Sequence, residues 1–141
     1  MSTHAQTLTA PAASATLRNS TELFGRILLS ALFLMSGLGK IAAYSATASY
    51  MTSVGAPAAL LPLVILTEVG GAIAIIAGWK TRIAAILLAG FTVLTALMFH
   101  SNFGDQNQMI HFMKNIAIAG GFLMLAANGA GGYSLDARSA R

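Results

Sequence analysis

Four apolar tracts, each about 20 residues long, alternate with short polar segments along the chain, and a helix of that length crosses a hydrocarbon core about 30 Å thick. The first runs from about Leu23 to Ala43, the second from about Ala58 to Trp79, the third from about Arg82 to Phe99, and the fourth from about Met109 to Ala127. Lys80-Thr81 is the whole link between the second and third tracts, so those two helices are expected to be antiparallel neighbours. Tyr44, Tyr50, Gly55 and Pro57 mark a loop after the first tract, and His100–Gln108 forms a polar loop after the third. Pro62 falls in the first turns of the second helix, where a missing N–H matters least. The run Asn128-Gly129-Ala130-Gly131-Gly132 ends the fourth helix and leaves a short polar tail. Residues 1–20 are rich in Ala, Ser and Thr without apolar periodicity, which predicts a disordered tail. They lack the basic start and cleavage site of a secretory signal. The expected division is a tail over 1–20, one membrane domain over 21–137 and a tail end over 138–141.

Composition agrees with the pattern. The 141 residues are 56% hydrophobic and 9% charged, against about 25% charged in a soluble domain. The predicted fold is therefore an all-α membrane protein, a four-helix up-down bundle. The net charge of +4 comes from scattered residues without a basic run, which argues against nucleic-acid binding. Placement explains the charge instead. Arg18, Arg26, Lys80, Arg82, Arg138 and Arg141 fall on one side of the predicted membrane, and only Lys40 and Lys114 on the other. By the positive-inside rule both termini are expected in the cytoplasm. Arg26, near the cytoplasmic helix end, is expected to snorkel to the interface. The chain has no cysteine, which excludes disulfide, thiolate and iron–sulfur chemistry for the chain alone.

Against this apolar background a few ionisable groups stand out. Glu68 lies near the middle of the second tract. Lys40 and Lys114 sit within their tracts toward the predicted outer side, and His100 and His111 at its surface. An unpaired charge at the bilayer centre costs about 3 kcal/mol even on the lenient insertion scale, so these groups are expected to face one another. Helical spacing groups Phe33, Ser36, Gly37 and Lys40 on one face, and His111, Lys114, Asn115, Ile118 and Phe122 on another. Pairing of Glu68 with Lys40 or with Lys114 would remove most of the cost.

Two readings follow for Lys40, Glu68, His100, His111, Lys114 and Asn115. One is a buried ion pair with amide support that fixes helix register. The other is a ligand pocket open toward the outer leaflet or periplasm, the cations facing a polar or quinone-like molecule. Proton relay through Glu68 and the histidines is a third use of the same groups. His100, His111 and Asp105 are metal-ligand types, but their spacing is not diagnostic, and no metal is expected. Small residues at helical spacing, Gly70, Ala74 and Gly78, then Ala85 and Ala89, then Ala117 and Gly121, suit close helix packing, with a homo-oligomer face as the alternative. No hydrolase, kinase or dehydrogenase signature is present, so no catalytic residue is assigned.

At these residues the chain resembles the DoxX family of small bacterial membrane proteins. The likeness rests on FLMSGLGK (Phe33–Lys40), TEVGGAIAIIAGWKTR (Thr67–Arg82), FH (Phe99–His100), FMKNIAIAGG (Phe112–Gly121) and YSLDA (Tyr133–Ala137), in that order. It covers about Leu23 to Ala137. The resemblance implies a four-helix protein of the bacterial inner membrane, linked to quinone-dependent redox systems. It is similar to the small membrane subunit of thiosulfate:quinone oxidoreductase. On that reading the chain is an accessory or quinone-interacting subunit. Its partners are the bilayer, a quinone and another redox or membrane protein. A small-solute or proton-coupled transporter, or an assembly partner without a ligand, are the alternatives. Fold likeness alone does not transfer an activity.

Overall fold

The computed structural model describes residues 12–140, with side chains from Ser14 onward. Its elements are α1 (Ala12–Ala42), α2 (Tyr44–Ser53), a 3-10 turn (Ala58–Leu60), α3 (Leu61–Ile65), a π turn (Leu66–Gly70), α4 (Gly71–Ala77), α5 (Thr81–Phe99), α6 (Gln106–Asn128) and α7 (Leu135–Ser139). No strand occurs among the described residues. Four helical stretches are long and apolar enough to cross a membrane: Ser14–Ala42, Ala58–Ala77, Thr81–Phe99 and Gln106–Asn128. The second stretch joins the 3-10 turn, α3, the π turn and α4, and is called the second span below. Leu28, Met35, Leu63, Leu87 and Met124 are exposed, the outward dress of a bundle whose solvent is lipid.

Helix boundaries differ from the sequence expectation where local chemistry extends them. The tail expected to be disordered over 1–20 is helical from Ala12, because Ala-rich sequence favours helix even without an apolar face; residues 1–11 lie outside the described residues. The first loop contains α2, whose Met51 is buried and whose Tyr50 ring stacks on Phe99 at 5.9 Å. α6 begins at Gln106 because the Asp105 carboxylate caps it, accepting from the N–H of Asn107 at 2.7 Å.

The core is built from small residues that admit large ones. Ala72, Ile75, Ala85, Leu88, Ala89, Ala119 and Phe122 are buried together, and Phe33 meets Phe122 edge-on at 5.2 Å. α1 comes so near the second span that a Cβ on Gly37 would lie 2.6 Å from a methyl of Val69 and 3.2 Å from the Glu68 Cβ. Only glycine fits there.

Arg26 ties one end of the bundle together. It does not snorkel outward: it is 1% exposed. One guanidinium nitrogen donates to the carbonyls of Ile75 and Ile76, each at 3.1 Å, and the other to the Tyr133 carbonyl. Those first two carbonyls belong to the last turn of α4, where helix geometry leaves acceptors unpaired. The chain turns just beyond, at Gly78, with φ of 68°. Gly78 N donates to Ile75 O and Trp79 N to Ala74 O, the paired bonds of a Schellman ending. A side chain at Gly78 would collide with Arg26 and Ser134. The expectation failed because the two outer guanidinium nitrogens find three carbonyls within reach at the α4 ending and the strap, and that outweighs the pull of the interface.

The polar tail is folded onto the same end. Asp136 caps α5 by accepting from Lys80 N at 2.7 Å and Thr81 N at 2.9 Å, and its own N–H donates to Gly78 O at 2.8 Å. Gly132 N donates to Asn19 at 3.2 Å, and Arg82 donates to the last carbonyls of α6, Ala126 and Ala127. Residues 129–136 are thus a strap binding α1, the α4–α5 turn and α6. This region is called the α7 end, and the opposite one the α2 end.

Arg26→Met keeps the bulk but takes the Arg26 donor from the Ile76 and Tyr133 carbonyls, while Ile75 O keeps its bond from Gly78 N. It should lower unfolding stability in detergent by roughly 2 kcal/mol or more, at about 1–3 kcal/mol per orphaned group. Arg26→Lys should recover only part, since an ammonium does not reach both sides of the turn. Burial pushes the Asp136 carboxyl up, but the N–H groups of Thr81 and Lys80 and the Arg26 charge outweigh it and hold the carboxyl below its ordinary value. A lowered carboxylate stabilises fully above the unfolded pKa, near pH 4, and the effect fades as pH falls through the folded value. Hydrogen exchange at the Lys80 and Thr81 amides should therefore speed up below about pH 4 beyond its intrinsic pH dependence. In Asp136→Asn that acid-dependent loss of protection should vanish.

Candidate functional site

The second span holds the site because its helix is locally widened. The Thr67 hydroxyl donates to the Leu63 carbonyl at 2.8 Å, four residues back. Such a bond competes with the backbone ladder and loosens it. The next turn, Leu66–Gly70, is a π turn carrying Glu68. Single π turns inside helices occur frequently at functional sites. Here the turn lies against Gly37, so the Glu68 carboxylate is laid directly beside α1.

Lys40 meets it. Its ammonium donates to Glu68 Oε1 at 2.9 Å and to the Ser36 hydroxyl at 2.6 Å, and Ser36 donates in turn to Glu68 Oε1 at 3.2 Å. Ser36 and Lys40 are one turn apart on α1, which makes the triad compact. Glu68 is 5% exposed. Its Oε2 is buried and has no hydrogen-bond partner among the described residues. An ammonium has three N–H groups, so one on Lys40 remains beyond these bonds.

The triad forms one wall of a cavity of about 380 Å³ near the α2 end. α1 supplies Phe33, Ser36 and Lys40; α2 roofs it with Thr47, Tyr50 and Met51. α5 contributes Phe91 and Thr95, His100 follows at its C-terminal cap, and α6 contributes His111 and Asn115. Leu32, Leu60, Leu94 and Met98 also line it while exposed on the lipid face, so the cavity meets the bilayer at its side. The volume lies in the range of about 300–1,000 Å³ usual for small-molecule sites, with mostly apolar walls and a few converging polar groups.

Five of the six residues singled out in the sequence line this cavity: Lys40, Glu68, His100, His111 and Asn115. Lys114 does not. It is exposed on α6 and makes no ion pair among the described residues. Helix geometry explains the split. At about 100° per residue, His111 and Asn115 point within about 40° of each other, while Lys114 lies about 60° to the far side of His111. Asn115 does not support the ion pair either, since its amide donates to the His111 carbonyl at 3.1 Å.

The two histidines stack at the rim, ring centroids 5.1 Å apart. His100 Nδ1 faces Gln108 Oε1 at 2.8 Å. An amide oxygen only accepts, so in this contact Nδ1 is the donor. Asp105, the third member of the imagined metal set, is spent on capping α6. Among the described residues no three of His, Cys, Asp or Glu stand close enough to share a metal ion. Tyr50, Thr47 and Thr95 were not singled out beforehand as site residues. Tyr50 and Thr47 lie on α2, a helix without an apolar period, and α2 alone brings them over the cavity.

Comparison with known proteins places this geometry. The DoxX family model matches residues 21–101, which include Lys40, Glu68 and His100. The chain is 52% identical over 114 residues to "Inner membrane protein YqjF" of Escherichia coli (strain K12), covering 81% of this chain and 88% of that one. It is 40% identical over 123 residues to "Inner membrane protein YphA" of the same organism, covering 82% and 88%. No solved structure matches. Four membrane-length helices around a charged pair, a family match over more than half the chain and two inner-membrane relatives agree: this chain belongs to the DoxX family and is a multi-pass integral inner-membrane protein.

Proposed function

We propose that the protein is an accessory, quinone-interacting subunit of a membrane redox system, and that its cavity receives the quinone head. The observation that carries this reading is the side-opening apolar cavity walled by the Lys40–Glu68 pair. A quinone is membrane-soluble and presents two carbonyl acceptors on a flat ring. The residues fit such a group. The remaining N–H of Lys40 donates to one carbonyl, and the Tyr50 hydroxyl across the cavity is a second donor. Glu68 balances the lysine charge in apolar surroundings. Phe91 and Phe99 supply ring faces, and Met98 a soft, adaptable wall. When bound, the quinone supplies two-electron redox chemistry; the chain itself has no cysteine, and the electrons would come from a partner protein.

The same reading includes a threading. The four spans run up and down, with the α7 end in the cytoplasm and the α2 end toward the periplasm. Lys and Arg placement supports it: Arg18, Lys80, Arg82 and Arg138 gather at the α7 end. A phosphatase fused after Arg141 should be inactive and a fluorescent protein there bright; the reverse result overturns the orientation.

Binding is tested with a tail-less dimethoxy-methyl-benzoquinone and the protein in lipid nanodiscs. Lys40→Met should weaken binding about ten- to a hundredfold, the worth of a charge-assisted hydrogen bond. Lys40→Met and Glu68→Gln should each lower the melting temperature, and the double variant should recover most of the loss while still failing to bind, because no buried charge is left alone. Tight binding by the double variant refutes the proposed role of the pair.

A further inference from the structure

A second concavity, of about 650 Å³, lies between the second span and α5. Gly70, Gly71 and Ala74 form one wall, and Ala84, Leu87 and Leu88 face them. Gly70 and Ala74 belong to the stripe that the sequence offered for helix packing, and here they border open space. Gly71 nests Leu88, whose atoms would lie 2.9 Å from an added Cβ. Gly70 nests nothing: an added Cβ would touch only Leu66, at 3.6 Å. Its missing side chain keeps the groove open.

The groove has two distinct ends. Trp79 and Lys80 close it at the α7 end. Phe91 and Leu94 stand at the other end, and both also line the polar cavity. These two side chains are therefore the border between the two spaces. The second span lines the groove from Leu63 to Ala74 and α5 from Ile83 to Leu94, a run of about 17 Å at 1.5 Å per residue. Between its ends the lining is apolar except for Thr67, whose hydroxyl is spent on the Leu63 carbonyl. Nothing within the groove asks for a polar partner, whereas the cavity at its head holds a buried carboxylate oxygen without one.

We infer that the groove holds the hydrocarbon tail of an amphiphile whose polar head sits in the cavity. The tail passes Phe91 and Leu94 and runs between the second span and α5 toward Trp79. This rests on the reading of the cavity as a head-group site, and it adds the ligand class: a ring-sized head carrying a long unbranched or isoprenoid chain, not a water-soluble small molecule. In a bilayer the tail gains little from leaving lipid, so its contribution is shape-fitted packing and direction of entry.

Trp79 is the chain's single tryptophan, so its fluorescence reports on the groove's far end. The full chain in nanodiscs is titrated with the benzoquinone bearing a dodecyl tail brominated either at its tip or beside the ring. Bromine quenches indole only at close range. Tip bromine should quench Trp79 saturably and more than ring-side bromine. The difference should be lost in Gly70→Leu, whose side chain fills the groove, and kept in Gly70→Ala, which leaves it open. The tail-less quinone should bind wild type and Gly70→Leu alike. If it does so while bromine position makes no difference, or while Gly70→Leu changes nothing, the tail site is refuted and the head site stands. Failure of the tail-less quinone to bind wild type refutes the head site and this inference with it. Cross-linking of two copies through Ala84 and Leu87, competing with the tail, also overturns it in favour of a homo-oligomer face.

Discussion

A charge buried away from water must find its partners inside the protein, and the architecture follows from two places where α1 meets that demand. Arg26 feeds its donors to carbonyls that the α4 ending and the strap leave open. Lys40 gives its charge to Glu68. Both lie on the inward face of α1, with Phe33 packed on Phe122 between them. In lipid no hydrophobic force drives helix against helix, so these polar ties and the close glycine contacts set the register. α1 works as a spine that is bolted at each end and packed in its middle.

The two bolts differ in kind. Around Arg26 the donors of the outer guanidinium nitrogens meet backbone carbonyls, and the strap over residues 129–136 covers the group. That end is a structural joint covered by the chain, although Arg26 Nε has no hydrogen-bond partner among the described residues. Around Lys40 and Glu68 the pairing is incomplete: one N–H remains on the lysine, one carboxylate oxygen is unpartnered, and a cavity lies alongside. What sets this end apart is the cavity beside the unpartnered oxygen, since an ionisable group at membrane depth that faces a cavity is a functional-site candidate. The π turn fits this contrast, since it spends regular helix bonding to hold Glu68 against α1.

Much of the site was readable because charges in apolar tracts are rare and therefore conspicuous. Lys40, Glu68, His100, His111 and Asn115 were picked out by type and depth alone. Lys114 was picked out on the same grounds and lies elsewhere, because depth does not fix azimuth: a rotation of one residue moves a side chain by about 100°. Arg26 was seen and misread, since its partners are backbone carbonyls from α4 and the strap, which leave no trace in residue type. Asp136 was taken for part of a polar tail, although it caps a helix 55 residues earlier. Of the small residues expected to serve helix packing, Ala85 and Ala89 are buried in the core while Gly70 and Ala74 border an open groove, a distinction that depends on what stands opposite.

The sequence by itself determined the membrane character, the number of spans and their approximate places, the absence of thiol chemistry and the short list of ionisable groups. Each follows from hydropathy and side-chain chemistry, which belong to single residues and their near neighbours. Only the tertiary structure decided which lysine faces Glu68, that Arg26 turns inward, that α2 roofs the cavity, and that Phe91 and Leu94 border both the cavity and a second groove. Those outcomes depend on helix rotation and on contacts across dozens of residues of chain. Such contacts are chosen by the joint packing of all four spans, not by any one segment.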